Sequence, residues 1–238
     1  MEGFTNKNSN TAFYKVAAGA LRINCEETDP KAEIRFVKKP DGTEIRLVER
    51  VHNQVQAIFV GASLYEGDTF KSWNIIMQHG DGSRFKLTVS ENSHYGTDFL
   101  KKLPNMIIGE IYTIRPYDYN HKTKKNKKGE PKRVIGLDIK LEDAERGIGS
   151  FYHDFKQLKD KSWKITCKHG YPDPSGEKDS DDWKVYFLQE TKFLRTAAIK
   201  WIEKNPELPV PPKETAPVSE PEDAPDDERP TNNDDFPF

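Results

Sequence analysis

Runs of apolar residues at every second position dominate the first two thirds of the chain. Ile34-Arg35-Phe36-Val37 and Ile45-Arg46-Leu47-Val48 flank Lys39-Pro40-Asp41-Gly42, a hairpin whose Asp-Gly step supplies the turn. Ile34/Phe36 and Ile45/Leu47 are expected on one buried face, with Arg35 and Arg46 on the other. Before this hairpin, Ala12–Cys25 suits one or two short strands broken at Gly19. After it, Val55–Ala62 reads as a buried strand, and Lys71–His79 and Arg84–Ser90 as two strands joined by Gly80-Asp81-Gly82-Ser83. Phe85, Leu87 and Val89 point one way, and Arg84, Lys86 and Thr88 the other.

The period then changes. Phe99, Leu100 and Leu103 share one face of a short helix over Thr97–Leu103, which Pro104 ends. Strand composition returns over Ile107–Tyr119, with Tyr112 and Ile114 on one side and Thr113, Arg115, Tyr117 and Tyr119 on the other. A last strand, Arg133–Leu141, turns Ile135, Leu137, Ile139 and Leu141 inward. Three strands, a helix and two more strands is the order of an OB-fold, a five-stranded Greek-key barrel. The expected fold is therefore mainly β: an OB barrel over 53–145, preceded by an N-terminal arm and accessory hairpin over 1–52. An SH3-like barrel or a sandwich has the same alternation.

The extension 146–204 is less regular. Phe151–Leu158 suits a helical turn and Trp163–Cys167 a short strand. It closes in a C-terminal helix, N-capped by Ser180, with Asp181 and Asp182 at the positive end of its dipole. Trp183, Tyr186, Phe187, Leu194, Ala197, Ala198, Trp201 and Ile202 recur at helical spacing, and Asn205-Pro206 stops the helix.

Charge divides the chain differently. Residues 205–238 hold nine prolines and ten acids against Lys213 and Arg229, a net 2 − 10 = −8, whereas residues 1–204 carry 35 − 29 = +6. Too little apolar surface remains in 205–238 to offset the entropy of ordering, so a disordered acidic tail is expected. It nevertheless ends Asp234-Asp235-Phe236-Pro237-Phe238. Exposed aromatics beside a carboxylate suit docking on a partner, with the acids steering the approach.

A basic body needs its own partner. His121–Arg133 carries Lys122, Lys124, Lys125, Lys127, Lys128, Lys132 and Arg133 against Glu130 alone. It joins the last two predicted strands, the place of an oligonucleotide-binding loop in OB-folds. Arg115, Tyr117 and Tyr119 precede it. Aromatic rings beside a basic track suit a single strand of nucleic acid: rings stack on bases and lysines neutralise phosphates. Trp73, Arg84 and Lys86 complete the candidate surface.

Enzyme chemistry finds little support. The six histidines form no His-Glu-x-x-His pair, and neither a Gly-x-Ser-x-Gly nor a Walker loop is present. No cofactor or metal is expected. Cys25 and Cys167 form no Cys-x-x-Cys pair and are expected as free thiols. The polar start and the lack of a membrane-length apolar run lead us to expect a cytoplasmic protein, in the host cytoplasm if phage-encoded.

A basic, aromatic β-barrel followed by an acidic tail ending in Pro237-Phe238 resembles the single-stranded DNA-binding proteins of bacteria and their phages. Ser93-His94-Tyr95-Gly96-Thr97-Asp98-Phe99-Leu100, followed by Leu103-Pro104-Asn105, looks most like the phage proteins. Phe236 departs from the aliphatic residue common in the bacterial tail, and Asn232-Asn233 precede a shorter acidic pair. The resemblance implies non-catalytic, sequence-tolerant coating of single-stranded DNA in replication, recombination or repair. It also implies recruitment of partner proteins through Asp234–Phe238. A scaffold or adaptor, or an RNA-binding protein, fits the same barrel and tail.

Overall fold

The computed structural model describes residues 11–39, 41–68, 70–125, 129–157, 163–175 and 179–209. The protein is mainly β. Its strands are β1 (Ala12–Ala17), β2 (Ala20–Asn24), β3 (Ala32–Lys38), β4 (Glu44–His52), β5 (Val55–Glu66), β6 (Lys71–Gln78) and β7 (Arg84–Ser90). Helix α1 (His94–Lys102) and a 3-10 turn (Leu103–Asn105) follow, then β8 (Ile111–Lys125) and β9 (Pro131–Leu141). These nine strands form one mixed sheet, ordered β3-β4-β2-β1-β7-β6-β5-β8-β9. A separate pair, β10 (His153–Gln157) and β11 (Trp163–Cys167), precedes the long C-terminal helix α2 (Ser180–Lys204).

The five strands expected of a barrel are present with the helix in its place, but they do not close. The outer edge of β7 is taken by β1, which runs parallel to it from Ala12↔Phe85 to Lys15↔Thr88. The facing edge of β9 is taken by side chains of α1. Asp98 Oδ2 accepts the Leu137 N–H at 2.7 Å, and the Lys102 ammonium donates to the Leu137 carbonyl. Asp98 and Lys102 also pair with each other at 2.9 Å. One helical turn thus supplies the acceptor and donor that a neighbouring strand would bring. One residue pair further along, the Ile148 N–H satisfies the Ile139 carbonyl at 2.7 Å. Buried backbone groups must be paired by some partner, and here the partners are a helix face and a loop.

The β1–β2 turn reaches into the gap. The Gly19 N–H donates to the Tyr95 hydroxyl at 2.7 Å, and a Cβ at Gly19 would lie 3.1 Å from the Asp118 backbone nitrogen on β8. Ala18 in this turn is exposed and holds φ 49°, a left-handed conformation that costs an L-residue about 1 kcal/mol or more. Ala18→Gly is expected to raise stability by about 1 kcal/mol, read as a higher denaturant midpoint at unchanged slope.

The core lies on the concave face of the sheet. Phe59, Met77, Phe85, Leu87, Ile114 and Leu137 are buried there, with Phe99, Leu100 and Leu103 from α1 and its 3-10 turn. Helix α2 packs over the same side through Leu194, Ala198, Trp201 and Ile202. Its N-cap is Asp179 rather than Ser180: Asp179 accepts from the Asp181 and Asp182 N–H groups, and the Asp182 side chain accepts from the Asp179 N–H. Phe187 is exposed, so the aromatic face is narrower than its spacing suggests. The region around Phe151–Leu158 contains strand β10 instead of a helical turn; β10 finds its ladder in β11.

The hairpin β3–β4 corrects another expectation. Phe36 pairs with Arg46, Ile34 with Val48, and Arg35 with Leu47. Directly opposed residues share a face, so Ile34/Phe36 and Ile45/Leu47 lie on opposite faces. The extra residue held by Gly42 at φ 87° sets this register. Glu49 is the buried member of its face, accepting from Arg35 at 3.1 Å through both carboxylate oxygens and from Arg22 at 3.3 Å. Burial alone would raise its pKa; the two guanidinium groups outweigh it and hold the carboxyl below its usual range.

Candidate nucleic-acid interface

The long β8–β9 hairpin builds the candidate site. Its inner positions, Tyr112, Ile114, Leu137 and Ile139, are consumed by the core. Alternation therefore sends Arg115, Tyr117 and Tyr119 to the convex face. Pro116 sits opposite Leu137, beyond the last β5–β8 pair at Val55↔Ile114, where its missing N–H interrupts no β5 ladder.

Arg115, Tyr117 and Tyr119 line a shallow cavity of about 270 Å³ with Lys102, Leu137 and Asp138. Tyr117 lies across Gly136, its cross-strand partner. A Cβ there would come within 2.3 Å of the Tyr117 hydroxyl oxygen, so the absence of a side chain lets the ring lie down on the sheet. Burial, then the nearby Asp98 carboxylate, pushes the Tyr117 phenol up to about 12, which keeps it neutral. Tyr119 is 53% exposed, with its ring centroid 6.0 Å from that of Tyr117 and tilted by 48°. Two neighbouring rings, one fixed and one open, offer π-faces at the mouth of a polar cavity.

The cations divide into two groups. Arg115 Nη2 lies 2.9 Å from Asp138 Oδ2 across the ladder. Arg133 grips Asp118 with Nε at 2.7 Å and Nη2 at 2.5 Å, and hydrogen bonding from Arg133 lowers the Asp118 pKa. These arginines brace the hairpin, although sequence alone places them among the phosphate ligands. By contrast, Lys122, Lys124, Lys125 and Lys132 project from the arm with no carboxylate in ion-pair range among the described residues. Beyond Asn120 the β8–β9 register shifts; His121 Nδ1 accepts from the Thr123 and Lys124 N–H groups there. Lys127 and Lys128 lie outside the described residues.

Three further candidates fall elsewhere. Trp73 is 0% exposed on the concave side of β6, where it cannot stack a base, and its indole N–H has no acceptor among the described residues. Its size alone makes it a candidate; its partners Leu64 and Val89 assign it to the core. Arg84 does lie on the convex face, but the chain after α2 occupies it. Arg84 Nη1 pairs with Glu207 Oε1 at 2.6 Å, while Nη2 donates to the Leu208 and Pro209 carbonyls at 2.7 and 2.8 Å. The Leu208 N–H donates to the Val60 carbonyl at 3.0 Å. Gly61 makes the crossing possible, since a Cβ there would crowd Glu207 at 3.1–3.3 Å. Residues 205–209, expected at the root of a disordered tail, are thus strapped to the sheet. Lys86 shares the convex face, its ammonium 5.6 Å from the exposed Phe13 ring centroid. It stands three strands from β8, roughly 14 Å along the sheet. Asp234, Asp235, Phe236, Pro237 and Phe238 lie outside the described residues.

Asp98, Lys102, Gly136 and Asp138 are the site residues that sequence reasoning missed. The i,i+4 spacing of Asp98 and Lys102 is a signal for an ion pair, but its grip on another strand is not visible in the sequence. Among the described residues, no group of three or more His, Cys, Asp or Glu side chains could hold a metal ion. No described helix is long and apolar enough to cross a membrane. Comparison of the chain with models of protein families, with curated proteins and with solved structures finds no match.

Proposed function

We propose that this protein binds single-stranded DNA along the convex face of β8–β9, without sequence preference and without catalysing a reaction. The observation that carries the proposal is the exposed Tyr119 ring beside the half-buried Tyr117, at the base of an arm whose four described lysines have no carboxylate partner among the described residues. Bases stack on the rings whatever their identity, and the lysines replace the counterions of the phosphates. Strand order supports the same reading: β7-β6-β5-β8-β9, with α1 between β7 and β8, is the order of an OB-fold opened at its closing ladder. We assign the fold as an opened OB variant in which β1 and α1 replace that ladder. The acidic tail, by its composition, recruits partner proteins through Asp234–Phe238 in replication, recombination or repair, and the setting we favour is a phage.

Titration of the full chain with dT oligonucleotides of increasing length, at several salt concentrations, tests the proposal. Retention at low salt and a steep fall with added salt are expected. Replacing Lys122, Lys124, Lys125 and Lys132 with alanine is expected to flatten the log–log salt slope by about 0.7 for each phosphate that is no longer neutralised. No binding at low salt would overturn the reading and leave a protein scaffold in its place.

A further inference from the structure

We propose that two copies of this chain join edge to edge through β3, antiparallel about a twofold axis at Phe36. β3 ends the nine-stranded sheet, and no described strand pairs with its outer side. The hydrogen bonds of the hairpin reveal which backbone groups are free. The Lys39 N–H donates to the Thr43 carbonyl at 2.7 Å, so Lys39 faces inward toward β4. In an antiparallel pair, the residues that exchange bonds with one neighbour alternate with those that face away. Val37, Arg35 and Glu33 therefore face β4, whereas Lys38, Phe36 and Ile34 present their N–H and C=O groups outward. Ala32 is next in the outward series, but its N–H is already bonded to the Asp29 carbonyl at 2.9 Å, which ends the free edge.

The three free residues are symmetric about Phe36. An antiparallel second β3 centred there pairs Phe36 with Phe36, and Ile34 with Lys38 in both directions, so that every free donor meets a free acceptor. A shift of one residue would set outward groups against inward ones. The side chains agree with this register. Phe36 and Ile34, 62% and 56% exposed, lie on one face: Phe36 meets its copy across the axis, and Ile34, opposite Lys38, is diagonal to the Phe36 of the other copy. On the other face, Glu33 of each copy lies opposite Lys39 of the other, and neither has an ion-pair partner among the described residues. Arg35, the cation between them, is already neutralised by Glu49. Charge is the one usual protection this edge has, through Glu33, Arg35 and Lys38; its interior holds no proline or bulge, and two bulky apolar side chains are exposed. A second copy is the occupant that fits, because the edge complements itself in hydrogen bonds, in apolar surface and in charge.

Sedimentation of the full chain over a wide concentration range tests the interface. Wild type is expected to pass from monomer to dimer, with the Ile34, Phe36 and Lys38 amides gaining exchange protection as the dimer forms. Phe36→Pro removes an N–H that β4 does not use and is expected to abolish the dimer. Glu33→Lys or Lys39→Glu alone is expected to weaken the dimer about tenfold through two symmetry-related pairs, and the two together to restore it. A wild type that stays monomeric throughout, or a double variant that gains nothing over the single ones, would overturn the proposal. Edge amides protected equally at all concentrations would also overturn it, by assigning the edge to a segment of the same chain.

Discussion

Alanine at both Tyr117 and Tyr119 is expected to lower affinity for oligo-dT by about a hundredfold or more while leaving the fold intact. Each stacked base is worth roughly 1–3 kcal/mol, and two rings stand 6.0 Å apart, close enough for successive bases. The fold survives because neither ring belongs to the core: Tyr119 is exposed, and Tyr117 lies on the outer surface over Gly136. Fluorescence anisotropy with dT and with a mixed-sequence oligonucleotide checks the affinity, and circular dichroism the fold. The loss is expected to be equal on both sequences, because stacking does not read base identity. Affinity that is unchanged on both would remove the tyrosines from the site. Gly136→Val provides a second route to one ring; its Cβ also comes within 2.7 Å of Asp98 Oδ2, so its fold is checked alongside its affinity. Its side chain displaces Tyr117 while leaving the phenol in the protein, and about a tenfold loss is expected, half the double effect on a logarithmic scale. A loss in the double variant without one in Gly136→Val would place the stacking on Tyr119 alone.

The alternating pattern is sufficient to find these residues and to misplace others. Period-two alternation assigns faces along one strand, and there it holds: Arg115, Tyr117 and Tyr119 do lie opposite Tyr112 and Ile114. It says nothing of which element covers an outer face. Arg84 lies opposite Phe85 as expected, yet residues 205–209 return from a helix more than a hundred positions away and take it. Trp73 fails for a different reason. β6 is buried on both faces over Ser72–Met77, so alternation carries no information there. The hairpin at Gly42 fails for a third. A single extra residue in its turn moves Ile45 and Leu47 to the face opposite Ile34 and Phe36. Barrel closure is the least legible feature, because it depends on pairings between segments far apart in sequence. The β1 strand, Ala12–Ala17, is short and ordinary in composition, yet its parallel pairing with β7 decides that the sheet stays open. The basic arm shows how composition and geometry divide the work. Charge counting finds it, but only the cross-strand pairs separate Arg115 and Arg133, which are neutralised, from Lys122, Lys124, Lys125 and Lys132, which have no ion pair among the described residues.

The ion pair that seals β9 is expected to carry a stability effect as large as that of a buried core side chain. Asp98→Ala removes the acceptor of the Leu137 N–H and at the same stroke leaves the largely buried Lys102 ammonium without its carboxylate. Breaking a buried pair on one side costs about 3–5 kcal/mol, because the surviving charge stays desolvated. The Asp98 side chain is 25% exposed and Lys102 11%, so water reaches part of the pair, and about 3 kcal/mol is the expected loss. Asp98→Asn keeps an acceptor for Leu137 but not the charge, and should fall between Asp98→Ala and wild type. Lys102→Met leaves the Leu137 carbonyl without a donor but strands no cation, so it should cost less than Asp98→Ala. The double variant Asp98→Ala/Lys102→Met is the decisive one. With the cation gone, the desolvation penalty disappears, and the double should be less destabilised than the sum of the two single variants. It should not return to wild type, because both Leu137 backbone groups are then left unpaired. Denaturant unfolding of the four proteins measures that coupling. Strict additivity would mean that Asp98 and Lys102 act independently on β9, and the picture of one helical turn standing in for a strand would fail.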